Sequence, residues 1–274
     1  MLELVIDVLE KARKEVLDQI GRKRELAFKP VDRGVGGDLT LYVDRVVEDM
    51  VYRELKRNLG EFYLLSEERG FIVAGSNPRL YFVLDPLDGT TNILRGIPFA
   101  SISLAVANSP HSEDLLVGSV IDIARGELYY ALSDEGSFKD GTRIRVSNIA
   151  NLANSIVSLV LNERKCQGLL KRSSGILKEV GHMRFLGSIA LELCYLAEGL
   201  IDGVACLQAC IRNTDLAAST LIVRLAGGVV INPENGESLS FRLDRVERKS
   251  FIASNPQLAT VMLEILKRSL ERKL

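Results

Sequence analysis

The most constraining feature of this chain is an apolar run, Leu80-Tyr81-Phe82-Val83-Leu84, that ends directly in Asp85-Pro86-Leu87-Asp88-Gly89-Thr90-Thr91-Asn92. Five apolar residues rich in β-formers read as a buried strand, and Pro86 cannot donate to a ladder, so the strand is expected to stop there. Asp88 follows Asp85 by three residues, close enough for one turn to bring both carboxylates to a point. Gly89 permits close backbone approach, and Thr90 is placed to open a short helix whose N–H groups face an anion. Two carboxylates beside an anion site suit a divalent ion bridging protein and phosphate.

Other acids follow the same logic. Residues 62–65 form a second apolar run that ends in Ser66-Glu67-Glu68, and Asp215 stands at the expected start of a helix. Alone, the glutamates read as a solvated loop and Asp215 as a helix-dipole partner. The only histidines, His111 and His182, lie far from the four cysteines, Cys166, Cys194, Cys206 and Cys210, and no Cys-x-x-Cys pair occurs. Any metal is therefore expected to be a hard ion held by oxygen, and the cysteines are expected to be buried free thiols.

The remaining pattern gives the architecture. A helix is expected over residues 2–20, ended by Gly21, and a second over 44–59; between them the glycine-rich stretch 32–38 reads as a mobile loop. Strands are expected at 102–107, and a hairpin of 117–123 with 127–131 turns on Ala124-Arg125-Gly126. Beyond residue 150, apolar runs at 155–161, 202–207 and 228–231 alternate with helical patterns at 168–180, 188–198 and 214–226, and a last helix spans 256–270. The first half is thus α+β and the second α/β, giving an expected division into lobes 1–140 and 141–274. With 35 basic and 36 acidic residues the net charge is −1, which argues against a nucleic-acid partner. No apolar run is long enough for a membrane span, and a cytoplasmic location is expected.

Taken together, Leu65-Ser66-Glu67-Glu68, the Asp85–Asn92 motif, Thr214-Asp215-Leu216-Ala217-Ala218 and Leu225-Ala226-Gly227-Gly228 resemble the inositol monophosphatase family in order and spacing. The continuation Gly96-Ile97-Pro98-Phe99 is most similar to archaeal members acting on both inositol monophosphate and fructose 1,6-bisphosphate. The resemblance implies a five-layer αβαβα sandwich and a Mg²⁺-dependent phosphomonoesterase, with a homodimer favoured. It places one ion on Glu67, Asp85 and the Leu87 carbonyl, and a second on Asp85, Asp88 and Asp215, with Glu67 available to a third. Gly89 and Thr90 would bind the phosphate, and Asp44, paired with Thr90, would orient the attacking water. Phosphate-monoester hydrolysis needs up to ~10²¹-fold acceleration, and two ions about 4 Å apart suit that demand.

For the substrate, the resemblance points to Ser188 in Gly187-Ser188-Ile189-Ala190 and to Gln208, which stands where inositol-selective members carry a glutamate. Arg95 and Arg212, just beyond the two metal motifs, are expected either to hold a second phosphate or to pair with nearby acids. A small sugar or polyol phosphate is the expected substrate, inositol 1-phosphate and fructose 1,6-bisphosphate in particular. The alternatives are a 3′-phosphatase of adenosine 3′,5′-bisphosphate on the same scaffold and a non-catalytic scaffold protein. A haloacid-dehalogenase-type phosphatase needs Asp-x-Asp, which Asp85-Pro86-Leu87-Asp88 does not provide.

Overall fold

The computed structural model describes residues 1–34, 39–164 and 166–271. The glycine-rich stretch expected to be mobile falls largely at 35–38, outside the described residues. Helix α1 (Leu2–Ala27) is followed by a short ribbon, β1 (Pro30–Arg33) with β2 (Leu39–Leu41), and by α2 (Tyr42–Leu59). Contrary to expectation, α1 runs through Gly21. One helical glycine costs only about 1 kcal/mol, which the buried stripe of Val5, Leu9, Ala12 and Val16 outweighs.

An eight-stranded sheet follows. It comprises β3 (Phe62–Ser66), β4 (Gly70–Ala74), β5 (Tyr81–Asp88), β6 (Ser101–Ala107), β7 (Leu115–Asp122), β8 (Leu128–Leu132), β9 (Gly136–Lys139) and β10 (Thr142–Arg143), in the order β10-β9-β8-β7-β6-β5-β3-β4. A six-residue helix, α3 (Thr90–Arg95), interrupts it after β5. The expected hairpin forms between β7 and β8, and Asp122 Oδ1 accepts from the N–H groups of Ala124 and Arg125 at 2.8 and 2.9 Å, closing the turn.

The second sheet contains β11 (Ile156–Leu159), β12 (His182–Arg184), β13 (Gly203–Arg212), β14 (Val229–Ile231) and β15 (Arg248–Ser254), in the order β12-β11-β13-β15-β14. Four helices accompany it: α4 (Leu169–Glu179), α5 (Ile189–Glu198), α6 (Asn213–Leu225) and α7 (Pro256–Glu271). Strand β15 escapes the sequence pattern because its first half, Arg248-Lys249-Ser250, is polar, yet it sits between β13 and β14.

The layers follow from which faces are apolar. Helices α1 and α2 cover one face of the large sheet, burying Val8, Val47 and Leu55 against Phe62, Phe82 and Leu104. Helices α5 and α6 fill the space between the two sheets, and α4 with α7 covers the outer face of the small one. The result is the expected αβαβα sandwich, in which one continuous core joins Leu65 and Val83 of the large sheet to Val204 and Ile252 of the small one. Among the described residues no helix is long and apolar enough to cross a membrane.

Two of the four cysteines depart from expectation. Cys166 and Cys210 form a disulfide, because the segment before α4 folds back onto β13; Cys194 and Cys206 are buried free thiols.

Helix α6 packs directly on the large sheet at Gly118 of β7, where a Cβ would lie 2.4 Å from the Ala218 carbonyl oxygen. Gly118→Ala is expected to push α6 off the sheet and cost roughly 2–3 kcal/mol. Urea unfolding would show the lower midpoint; an unchanged midpoint would contradict the packing described.

Candidate active site

The strand carrying the signature does not stop at Pro86. It bulges there and rejoins the ladder. Asp85 pairs with Ser103 and Asp88 with Ser101, so Pro86 and Leu87 face a single partner residue. Proline has no N–H to lose, and the Leu87 N–H turns inward to donate to Asp85 Oδ1 at 3.1 Å. Gly89 follows at φ +89°, where a Cβ would meet the Phe99 carbonyl oxygen at 2.9 Å, so only glycine fits between the bulge and α3. The Thr90 hydroxyl donates to the Leu87 carbonyl at 2.9 Å and closes the first turn of α3.

Asp85 at this bulge, Glu67 in the turn after β3 and Asp215 in the first turn of α6 converge: each offers an oxygen, and the three oxygens lie within 4.8 Å of one another. Asp85 is 1 % exposed. Burial, reinforced by the neighbouring acids, holds the Glu67 and Asp85 carboxyls well above the ordinary carboxylate range. Such a compact, anionic, all-oxygen set fits a hard divalent cation.

Asp88 stands beside this cluster but is held from another direction. Its Oδ2 accepts from the Ser188 hydroxyl and the Ala190 N–H, both at 2.7 Å, where α5 begins. Withdrawal from water and the charge of Asp215 push its carboxyl up to about 8. Ser188, expected to face the substrate, is thus fully buried and spent on Asp88 and on Ser101 Oγ at 3.0 Å.

Above the cluster lies a cleft of about 360 Å³ whose walls include Asp44, Glu67, Glu68, Gly89, Thr90 and Arg212. Asp44 and Thr90 both reach it but do not hydrogen-bond each other. Asp44 Oδ2 accepts from the Leu41 N–H at 2.9 Å, Oδ1 is buried without a partner, and burial pushes the carboxyl up to about 7. Glu68, to which the sequence assigns no role beyond a solvated loop, is buried and accepts from the Thr40 hydroxyl. A Cβ on Gly34 would collide with that carboxylate, so the described end of the glycine-rich segment touches the cleft wall.

Arg212 is the cation of the site. Its guanidinium pairs with Glu67 Oε1 and lies 3.4 Å from Asp215 Oδ1, so of its two expected roles the structure gives it the ion pair with nearby acids. Arg95 is exposed in the last turn of α3 and is not on the cleft wall. Gln208 also lies away from the cleft: its Oε1 is buried without a partner beside Gly168, before α4. Glu192 was missed by sequence reading, because nothing local distinguishes it from any acid in a first helical turn. It is 2 % exposed and accepts from the N–H groups of Leu186 and Gly187 at 3.2 and 2.7 Å.

Fold and site together define a class, the phosphoric monoester hydrolases. The sequence profile of the inositol monophosphatase family matches residues 1–271, and the chain belongs to that family. It is 34 % identical to a fructose-1,6-bisphosphatase/inositol-1-monophosphatase of Thermococcus kodakarensis, over 97 % of this chain and 96 % of that one. It is 33 % identical to a bifunctional NADP phosphatase/NAD kinase of Methanocaldococcus jannaschii, over 93 % of this chain but 48 % of that longer protein. Among solved structures, the extragenic suppressor protein suhB of Bartonella henselae superposes with a TM-score of 0.84 at 28 % identity, covering 97 % of this chain and 98 % of that one.

Two outcomes test this electrostatic arrangement. Arg212→Ala leaves the acids without their counter-charge, so it should destabilise the protein by roughly 2–3 kcal/mol in a chelator and by much less in saturating Mg²⁺. Thermal melts in both conditions decide it; equal losses would contradict the role. For Glu192, burial raises the carboxyl from 4.5 to about 7, so the folded state binds the extra proton in that window and stability falls as pH rises through it. Glu192→Gln should therefore gain on the parent between pH 5 and pH 8 by on the order of 2–3 kcal/mol in urea unfolding. A pH-independent difference would overturn this.

Proposed function

We propose that the chain hydrolyses phosphate monoesters of small sugars and polyols, inositol 1-phosphate and fructose 1,6-bisphosphate among them, with Mg²⁺ as the cofactor. The observation that carries this reading is the convergence of Glu67, Asp85 and Asp215 beneath a cleft walled by Gly89 and Thr90. The dual name of the Thermococcus relative supports the two substrates.

Glu67, Asp85 and Asp215 would hold the cation, joined by Asp88 and the Leu87 carbonyl. When bound, such ions offset phosphoryl charge and make water more acidic. The chain's own residues orient the reactants. The Gly89 and Thr90 backbone receives the phosphate, and Arg212 neutralises acid charge that would otherwise repel it. Asp44 Oδ1 is a buried acceptor on the cleft wall, suited to orient the attacking water through one hydrogen bond. The Thr90 hydroxyl donates to Leu87, which leaves its oxygen to accept from the same water. In-line positioning and charge neutralisation are the main demands of phosphoryl transfer.

Asp85→Asn is expected to abolish phosphate release while leaving the circular dichroism and melting profile of a folded protein, because an amide brings no charge to the cation. Near-parent activity in saturating Mg²⁺ would overturn the assignment. A panel of inositol 1-phosphate, fructose 1,6-bisphosphate and adenosine 3′,5′-bisphosphate separates the substrate readings, and no Mg²⁺-dependent release from any of them would favour a non-catalytic scaffold.

A further inference from the structure

Ser188 stands at the N-cap of α5, where a serine hydroxyl ordinarily accepts from an N–H of its own helix. It makes no such bond here and donates to Asp88 Oδ2 instead. Asp88 takes over the capping role. Its Oδ2 accepts from the N–H of Ala190, the second residue of the helix, which lies 102 residues further along the chain. Both bonds fall on Oδ2, which leaves Oδ1 as the oxygen available to a cation.

The direction of that carboxylate is therefore set by the Leu186-Gly187-Ser188 turn, and the turn is gripped from two sides. From within α5, Glu192 Oε1 accepts from the N–H groups of Leu186 and Gly187 at 3.2 and 2.7 Å. From α3, Asn92 Nδ2 donates to the Leu186 carbonyl at 2.7 Å and to the Phe99 carbonyl at 2.8 Å. Gly187 itself is at φ +90°, where a Cβ would press on Asn92 Nδ2 at 3.1 Å. Ser101, paired with Asp88 across the sheet, has its Oγ 3.0 Å from Ser188 Oγ, so the Ser188 hydroxyl accepts there and donates to Asp88.

This matters most for Asp88. Glu67, Asp85 and Asp215 already bring their oxygens together, whereas Asp88 joins them from outside, so its contribution depends on how it is aimed. A carboxylate 2 % exposed is also a costly way to satisfy two N–H groups, since a neutral oxygen would accept the same bonds. What Glu192 secures is the geometry of the turn.

Resting on the phosphatase reading above, we propose that Glu192 is a positioning residue, which grips the Leu186–Gly187 turn so that Ser188 and Ala190 aim Asp88 at the cation site. It acts on Mg²⁺ affinity through Asp88 alone. Asn92 holds the same turn from the helix that begins at Thr90, so the acid and the phosphate-binding backbone are fixed to one another.

A double-mutant cycle, read by calorimetric titration of Mg²⁺ into the metal-free protein, tests this. Asp88→Asn sets the scale for losing the acid. Glu192→Ala should weaken Mg²⁺ binding about tenfold, the size usual when a group that orients a metal ligand is removed. In the Asp88→Asn background the same change should add less than about twofold, because the acid it aims is already lost. Glu192→Gln keeps an oxygen for both N–H groups and should stay within about twofold of the parent. A role in fold stability alone would lower the melting temperature of Glu192→Ala without moving its Mg²⁺ affinity, and that result overturns the proposal. So do losses that simply multiply in the double variant. If Glu192→Ala does not fold, Asn92→Ala, which frees the Leu186 carbonyl from the half-buried side, takes its place in the cycle with the same outcomes. Loss of Mg²⁺ binding in Asp88→Asn with none in Glu192→Ala overturns the positioning role alone. Asp88→Asn without effect on Mg²⁺ binding fails the cation assignment of Asp88 as well.

Discussion

The structure depends on holding several carboxylates at one point where water is scarce. Glu67, Asp85 and Asp215 place oxygens within 4.8 Å of one another, and like charges so close and so buried repel strongly. Three responses are visible. Burial and the neighbouring acids hold the Glu67 and Asp85 carboxyls above the ordinary carboxylate range, Arg212 inserts its guanidinium between Glu67 and Asp215, and the N-terminal end of α5 takes up Asp88. The oxygen set that results is suited to a divalent cation. On the proposed function, such a site is expected to bind phosphate only once cations are present.

The layered fold supplies the acids from separate elements. Glu67 comes from the tight turn that follows β3, Asp85 from a bulge in the adjacent β5, and Asp215 from α6 in the middle layer. Because α6 packs against the large sheet at Gly118 with no room for a side chain, the distance between Asp215 and the sheet acids is set by core packing. Their geometry therefore does not rely on a flexible loop.

Much of this was legible in the sequence, and the reason is local. Asp85-Pro86-Leu87-Asp88-Gly89 marks a local break in the ladder, though as a bulge within β5 rather than the strand end expected at Pro86, and the αβαβα layering follows from periodic apolar patterns and a resemblance spread along the chain. What stayed hidden depends on partners distant in sequence. Ser188 looks like a substrate contact until Asp88, a hundred residues earlier, takes its hydroxyl. Arg212 looks equally able to hold a phosphate until Glu67 is found against it. Gln208 faces Gly168 because β13 presents it away from the cleft, and the Cys166–Cys210 bond joins segments that no spacing rule connects. Glu192 carries no local mark; only the fold buries it against the Leu186 and Gly187 N–H groups.

The central claim is that the acid cluster excludes anions until cations neutralise it. Calorimetric titration of inorganic phosphate into the chelator-treated protein, with and without Mg²⁺, tests this directly. Saturable phosphate binding in Mg²⁺ and none in its absence is the predicted result. Phosphate binding of equal strength in both conditions would contradict it.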